Sequence, residues 1–184
     1  MLIPWGSRAV RILLIVLSEE TAVEGDLPSL GSFATAYYVF RDASIDLILA
    51  SRLGGYLFLN NSGMDTPEDF NAARRFQADR SARDELADTI CFDDVHAEDF
   101  DGAMCLGPPA SDTKFQLPDR VVCLISSLLA VGKPVAVMPA NLASPTGSGL
   151  LITGEYANSP LHTANALIGA LAMERKGSDR ADAS

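Results

Sequence analysis

Residues 8–18 read RAVRILLIVLS, and this stretch decides the fold. Apart from Arg11, residues 10–17 form an apolar run that is shorter than the roughly 18 residues needed to cross a bilayer. The run meets Glu19 and Glu20 with no small-residue cleavage pattern, so it does not have the form of a signal peptide. A short apolar run without alternation is typical of a strand covered on both faces, and it predicts a buried strand of a parallel sheet.

Segments that predict helices alternate with segments that predict strands along the rest of the chain. Residues 32–42 carry apolar and aromatic side chains at helical spacing, and Thr66 followed by Pro67 is a helix-start signal. This alternation indicates an α/β fold with a parallel sheet. Further strands are predicted at residues 45–51, 89–92, 102–106, 134–138 and 150–153, and further helices at 66–88 with a break, 117–131 and 159–174.

Length and charge restrict the classes of function. The chain has 184 residues, 48% of them hydrophobic, which suits a single core. We therefore predict one domain at residues 1–175 and a polar C-terminal tail at residues 176–184. The formal net charge is −10, from 14 Lys and Arg against 24 Asp and Glu. Because the chain has no basic cluster to displace counterions, nucleic acid and membrane surfaces are not expected as partners.

The cysteines predict a reducing environment. Cys91, Cys105 and Cys123 are odd in number, have no Cys-x-x-Cys spacing and lie in apolar stretches. This pattern favours reduced thiols in the core and a cytoplasmic protein.

An acidic connection at residues 93–101 is the one segment that suggests a metal site. It gathers five carboxylates and one of the two histidines. Such a cluster is usually a solvated face, and we interpret it in that way. The sequence therefore predicts neither a metal nor a cofactor.

Five short stretches in a fixed order give the chain a family resemblance. They are YYVFRDA (37–43), LAS (49–51) with GG (54–55), DFDGA (99–103), GKPVA (132–136) and LITGE (151–155). Together they resemble the ThiJ/PfpI superfamily, specifically its chaperone and glyoxalase III-like branch. The resemblance implies a flavodoxin-like three-layer α/β/α sandwich with a mainly parallel sheet, of the class I glutamine amidotransferase type. It also implies a homodimer.

The chain departs from that family at the positions of its thiol chemistry. The family's nucleophilic Cys and the His after it directly follow the Gly-Lys-x-Val-Ala strand, where this chain has Pro139 and Ala140. The family's acid on the first helix corresponds to Ser32. Its Pro-Gly-Gly-His turn, whose backbone N–H groups can stabilise an oxyanion, resembles residues 107–110, which read Gly-Pro-Pro-Ala. Proline has no N–H to donate, so two potential donors are absent from that turn.

These departures favour a protein that binds a small ligand or a protein partner without covalent thiol catalysis. In an open parallel sheet, ligands bind beyond the carboxyl ends of the strands. The candidate ligand-binding residues at that edge are Cys105, Gly107, Asn141 and His162. His162 has the alternative interpretation of an ordinary surface or interface histidine.

Two other hypotheses stay open. The first is a hydrolase, lyase or deglycase of the same superfamily that uses a relocated group, Cys105 with Glu19 or Glu20. Cys105 has the competing interpretation of a buried cysteine that packs as a hydrophobic side chain. The second is a structural or regulatory interaction protein, with a closed pocket and a large apolar surface patch.

Overall fold

Six parallel strands form the central sheet of the computed structural model, which describes residues 9–18, 27–61, 66–108, 117–139, 147–154 and 159–181. The strands are β1 (Arg11–Val16), β2 (Asp46–Ser51), β3 (Ile90–Cys91), β4 (Gly102–Leu106), β5 (Val135–Met138) and β6 (Leu151–Thr153). Their order is β3-β2-β1-β4-β5-β6. With the two-residue β3 left aside, this is the flavodoxin-like order 2-1-3-4-5, and the predicted α/β fold is confirmed.

Helices cover both faces of the sheet and complete three layers. They are α1 (Leu30–Asp42), α2 (Pro67–Ala78), α3 (Arg80–Ala87), α4 (Asp119–Ala130) and α5 (Ser159–Ala181). Buried side chains of α1, α2, α3 and α5 share one core cluster, whereas those of α4 belong to the other. On the α4 face, two single-turn 3₁₀ segments at Phe92–Asp94 and Ala97–Asp99 complete the cover.

The alternation of side chains along β1 divides the core into these two clusters. Ile12 and Leu14 point toward α1, whereas Leu13 and Ile15 point toward α4. All four are fully buried, which is the condition that the apolar run of residues 10–17 predicts. Because β1 pairs with β2 on one side and β4 on the other, it is an interior strand.

Local capping fixes where the helices over β1 and β2 begin. Thr66 accepts a hydrogen bond from the Asp69 amide at 3.1 Å, and Pro67 opens α2 as predicted. Asp79 supplies the predicted break, because it ends α2 and its carboxylate accepts from the Ala82 amide to begin α3. Ser29 caps α1, which therefore begins two residues before the predicted start at residue 32.

The last helix is longer than the sequence pattern predicts. We expected it to end near Glu174, but α5 continues to Ala181. A polar composition does not prevent helix formation, since Arg, Lys and Glu have good helix propensity. The polar pattern therefore placed the helix end too early.

Candidate functional site

The strand order reverses between β1 and β4, and this places the candidate site at their carboxyl ends. β1 is followed by α1 and then by β2 on one side of β1, whereas β4 and β5 lie on the other side. Loops leave the sheet in opposite directions at such a point and open a crevice between them. The described residues that follow the strands there are Ser18 after β1, Gly107 and Pro108 after β4, and Pro139 after β5.

Backbone hydrogen bonds continue the sheet right up to this rim. The Leu17 amide donates to the Leu106 carbonyl at 2.9 Å, and the Gly107 amide donates to the Met138 carbonyl at 2.8 Å. Pro108 and Pro139 are buried, and the Met138–Pro139 peptide bond is cis. The described part of the rim therefore consists of paired backbone and buried proline rings, with the half-buried Ser18 hydroxyl as a polar side chain beside them.

Several predicted site residues lie outside the described residues. These are Glu19 and Glu20 after β1, and Ala140 and Asn141 after β5. Their predicted roles at the crevice stay predictions.

Cys105 lies one residue before the end of β4, and its side chain is fully buried. It belongs to the core cluster that includes Leu13, Ile15 and Val137 on the α4 face of the sheet. Burial raises the pKa of the Cys105 thiol far above its ordinary value, because a thiolate there would lose its hydration. A thiol in this position packs as a hydrophobic group and is not poised as a nucleophile.

The other two thiols are more exposed than the sequence predicts. We expected all three cysteines in the core, but Cys123 is exposed on α4 and Cys91 is half-buried at the end of β3. The Cys91 thiol donates to the Arg52 carbonyl, with 3.2 Å between sulfur and oxygen. Cys123 was misplaced because α4 buries only one stripe, formed by Val121, Leu124, Ile125, Leu128 and Leu129, and position 123 falls between these residues.

Ser32 and His162 are not brought together with Cys105. Ser32 lies in the first turn of α1, where its amide donates to the Ser29 hydroxyl at 3.3 Å, and its side chain is buried. His162 is exposed on α5. Among the described residues, no hydrogen bond or ion pair joins these side chains into a nucleophile–base arrangement.

The acidic connection between β3 and β4 is held by cations of the protein itself. Arg120 donates to the backbone carbonyls of Phe92 and Val95, at 3.1 and 2.8 Å. The Asp101 carboxylate accepts from the backbone amide of Arg11 at 2.8 Å, which fixes the connection to the beginning of β1. Within the described ranges, no group of three or more His, Cys, Asp or Glu side chains could hold a metal ion.

A cluster of aromatic and charged side chains that the sequence reasoning missed joins α1 to α3. The Tyr37 hydroxyl donates to the Glu85 carboxylate at 3.0 Å, and Arg41 forms an ion pair with the same carboxylate. Arg41 also donates to the Tyr37 hydroxyl at 3.3 Å. Burial is the first cause that raises the pKa of Tyr37 above its ordinary value.

A second set of contacts joins α1 to α2. The Tyr38 hydroxyl donates to Asp79 at 3.0 Å, and the Arg75 guanidinium lies 3.7 Å from the centre of the Tyr38 ring. Arg75 also donates to both oxygens of Asp42, at 2.7 and 2.8 Å. We call these two sets the α1 clamp, formed by Tyr37, Tyr38, Arg41, Asp42, Arg75, Asp79 and Glu85.

The signal for the α1 clamp was present in the sequence. Tyr37 and Arg41 are spaced by four residues on a predicted helix, as are Tyr38 and Asp42, so each pair lies on one face. A buried tyrosine needs a partner for its hydroxyl. The stretch at residues 37–43, which carries part of the family resemblance, therefore has a structural role here.

Comparison with solved structures identifies the fold. Glyoxalase III of Candida albicans matches with a TM-score of 0.62 and 16% identity, over 88% of this chain and 97% of that one. A ThiJ/PfpI domain protein of Brachyspira murdochii matches with a TM-score of 0.58 and 17% identity, over 90% and 98%. DJ-1beta of Drosophila melanogaster matches with a TM-score of 0.56 and 16% identity, over 96% and 97%. The chain thus has the fold of the ThiJ/PfpI superfamily.

Sequence comparison adds no closer relative. No protein-family model matches the chain, and no curated protein matches it. Within the described residues, none of the helices has the length and apolar character needed to span a bilayer.

Proposed function

We propose that this chain, which has the ThiJ/PfpI fold, is a non-catalytic relative of that superfamily that binds a small ligand or a protein partner. The observation that carries the proposal is the composition of the rim where the family places its nucleophile. Pro139 stands directly after β5 and is buried, and a proline side chain has no group that could attack a substrate.

The burial of Cys105 supports the same conclusion against the enzymatic alternative. A relocated nucleophile needs an accessible thiolate, which is favoured by nearby positive charge and partial exposure. Cys105 has neither property, because its exposed fraction is 0% and its neighbours in the core cluster are hydrophobic. The hydrolase, lyase or deglycase hypothesis with Cys105 as nucleophile therefore has little support from the geometry.

The test is an activity assay with matched cysteine variants. Purified wild-type protein, Cys105→Ala and Cys123→Ala are assayed for glyoxalase turnover with methylglyoxal and for peptidase turnover. We expect none of the three proteins to exceed the buffer rate. Turnover that Cys105→Ala abolishes and Cys123→Ala retains would contradict the proposal, because Cys123 is an exposed thiol of the same chain.

Alkylation by iodoacetamide, followed by mass spectrometry of the labelled peptides, gives an independent readout. In the native protein at neutral pH, we expect Cys123 to be labelled first and Cys105 last. All three cysteines should react at similar rates in denaturant, since only the fold protects Cys105. If native Cys105 is instead labelled faster than a free thiol, the result would favour the enzymatic alternative, in which Cys105 is the nucleophile.

The proposal extends to self-association and to a cytoplasmic location. Large apolar side chains are exposed on several elements, with Leu53, Val131 and Met173 between 68% and 77% exposed. The family resemblance implies a homodimer, and these side chains are the ones to substitute in a search for its interface. Light scattering should give twice the chain mass of 19.6 kDa, and a monomer at high concentration would count against the homodimer. The free state of all three cysteines is consistent with a reducing compartment.

A further inference from the structure

A cavity of about 470 Å³ lies beside the segment that follows β2, apart from the residues of the rim. Its volume falls within the range of small-molecule sites, which is roughly 300 to 1,000 Å³. Polar atoms make up slightly more of the exposed wall than apolar atoms do, and among the described residues that line it there is no Asp or Glu. The lining residues are Leu30, Tyr56, Leu57, Leu59, Asn61, Phe76, Gln77, Arg83 and Leu86.

Arg83, an exposed residue of α3, is the charged side chain among the described lining residues, and its guanidinium contacts α2. One of its terminal nitrogens, Nη1, donates to the backbone carbonyl of Gln77 in the last turn of α2. A guanidinium has five N–H donors, so this anchor leaves others available. Among the described residues, no carboxylate forms an ion pair with Arg83. In a chain of net charge −10, the described part of the cavity wall therefore presents a cation without a carboxylate beside it.

The part of the cavity wall that residues 56–61 form is preformed, because hydrogen bonds fix this segment at both ends. Gly55 and Thr89 exchange backbone hydrogen bonds of 2.8 and 3.2 Å. The Leu30 amide donates to the Asn60 carbonyl at 2.8 Å, and the Asn60 amide donates to the Pro28 carbonyl at 2.9 Å. Between these anchors the chain adds one more bond of 3.3 Å, from the Leu57 amide to the carbonyl of a cavity-lining residue of α3, Leu86.

Side chains alternate along the segment between the anchors. Leu57 is buried, whereas Tyr56 and Phe58 are exposed and pack edge to face with their ring centres 4.9 Å apart. This contact orients the Tyr56 ring, which belongs to the cavity lining and is 61% exposed. The cavity thus has an aromatic surface on one part of its wall and a guanidinium on another.

We propose that this cavity binds an organic monocarboxylate with a flat apolar body, such as an arylalkanoate. Its carboxylate pairs with Arg83, which suits a two-oxygen anion because the guanidinium is a planar fork. Its apolar body packs on Tyr56, Leu57 and Leu59. A single cation matches a monoanion better than a phosphate dianion. The proposal goes beyond the function proposed above, since it does not depend on whether the rim near Pro139 is catalytic.

The experiment measures binding of 3-phenylpropionate and of its uncharged amide by NMR titration of the isotopically labelled protein. It uses wild-type protein, Arg83→Gln and the matched control Arg74→Gln. Arg74 is exposed on α2 and packs near the Phe70 ring, outside the cavity, so both variants lose one surface positive charge. Circular dichroism establishes that each variant retains the wild-type melting transition.

We expect Arg83→Gln to weaken binding of the acid about tenfold, because a charge-assisted hydrogen bond is lost. Arg74→Gln should leave the affinity for the acid unchanged, and the amide should bind wild type and Arg83→Gln alike. Backbone shifts on binding should occur at Leu57 and Leu86.

Three outcomes would overturn the proposal. They are no binding of the acid at millimolar concentration, equal affinity in the two variants, and shifts confined to Ser18 and Gly107. The last result places the ligand at the rim. It would therefore leave the proposed function standing while it removes this second site.

Discussion

The α1 clamp and the rim at the ends of β4 and β5 are built differently. The α1 residues of the clamp belong to the stretch 37–43 that resembles the ThiJ/PfpI superfamily, whereas Pro108 and Pro139 of the rim lie outside the resembling stretches. In the clamp, tyrosines, arginines and carboxylates meet one another across three helices. At the rim, the described residues offer buried prolines and backbone groups that are already paired. The clamp thus has polar side chains that bind one another, whereas the described rim residues include one polar side chain, that of Ser18.

This difference distinguishes residues that stabilise the fold from residues that could take part in catalysis. The contacts of the α1 clamp join α1 to α2 and α3, so they stabilise the helix layer of this chain. In our proposal, Pro139 stands where the superfamily has its nucleophile, and the six-stranded sheet is formed with this proline at the end of β5. Similarity in the helix layer therefore predicts the fold and carries no information on the reaction.

The largest effect is expected from Phe33→Ala, which breaks the helix layer beneath the clamp. Phe33 is fully buried, stacks on Tyr37 and packs edge to face on Phe76. Truncation leaves a cavity and should lower the free energy of unfolding by about 3–5 kcal/mol, as measured by urea denaturation. Phe58→Ala is the control, since Phe58 is 68% exposed, and it should cost less than about 0.5 kcal/mol. Similar losses in the two variants would contradict the described packing.

Gly154→Ala tests the sheet edge next to the rim. A methyl group at Gly154 would lie 2.9 Å from Cγ of Met138 and far inside contact distance of the Thr163 hydroxyl. We expect a loss of about 1–3 kcal/mol in stability, because β6 or α5 must shift. Gly169→Ala on α5 is the control with open space around the new methyl group, and it should stabilise the helix by up to about 1 kcal/mol. A neutral Gly154→Ala would show that α5 adapts without cost.

The smallest effect is expected from breaking the ion pair between Arg75 and Asp42 in the α1 clamp. Hydrogen bonds from Arg75 lower the pKa of Asp42 below its ordinary value. A lowered folded-state pKa contributes stability above the unfolded pKa of about 3.9, and that stability is lost as the pH falls through the folded-state pKa. Because the pair is exposed, Asp42→Asn should cost less than about 1 kcal/mol at pH 7.

Urea denaturation from pH 7 down to pH 2.5 checks the sign of this effect. The stability difference between wild type and Asp42→Asn should shrink as the pH falls below about 4. Asp84→Asn is the control, because its pair with Arg80 is longer, at 3.7 Å, and more exposed. A gap between wild type and Asp42→Asn that does not change with pH would mean that the carboxylate contributes nothing through its charge.

Local pattern predicted most elements of the fold. The apolar run of β1, the Thr66–Pro67 start of α2 and the single apolar stripe of α4 each follow from side-chain periodicity within a few turns of chain. The end of α5 was predicted too early, because polarity reports exposure and not the limit of a helix.

The candidate site could be predicted only in part. The carboxyl edge of the sheet follows from the fold class, and the predicted departure at Pro139 rests on the family resemblance. The burial of Cys105 was one of the two interpretations offered from the sequence and is confirmed. The exposure of Cys123 was not predicted, since it depends on which face of α4 meets the sheet. The cavity beside Arg83 had no sequence signal, because its walls come from residues that are far apart in the chain, namely 30, 56, 57, 59, 61, 76, 77, 83 and 86.

The sequence by itself determined the order of strands and helices and the parallel sheet, because hydrogen bonding and side-chain alternation act between near neighbours. Only the tertiary structure decided which distant side chains meet. Tyr37 reaches Glu85 across 48 residues, and Leu57 meets Leu86 at the cavity wall. These long-range contacts depend on how the layers pack to bury their apolar faces, and the sequence of a single segment does not contain that information.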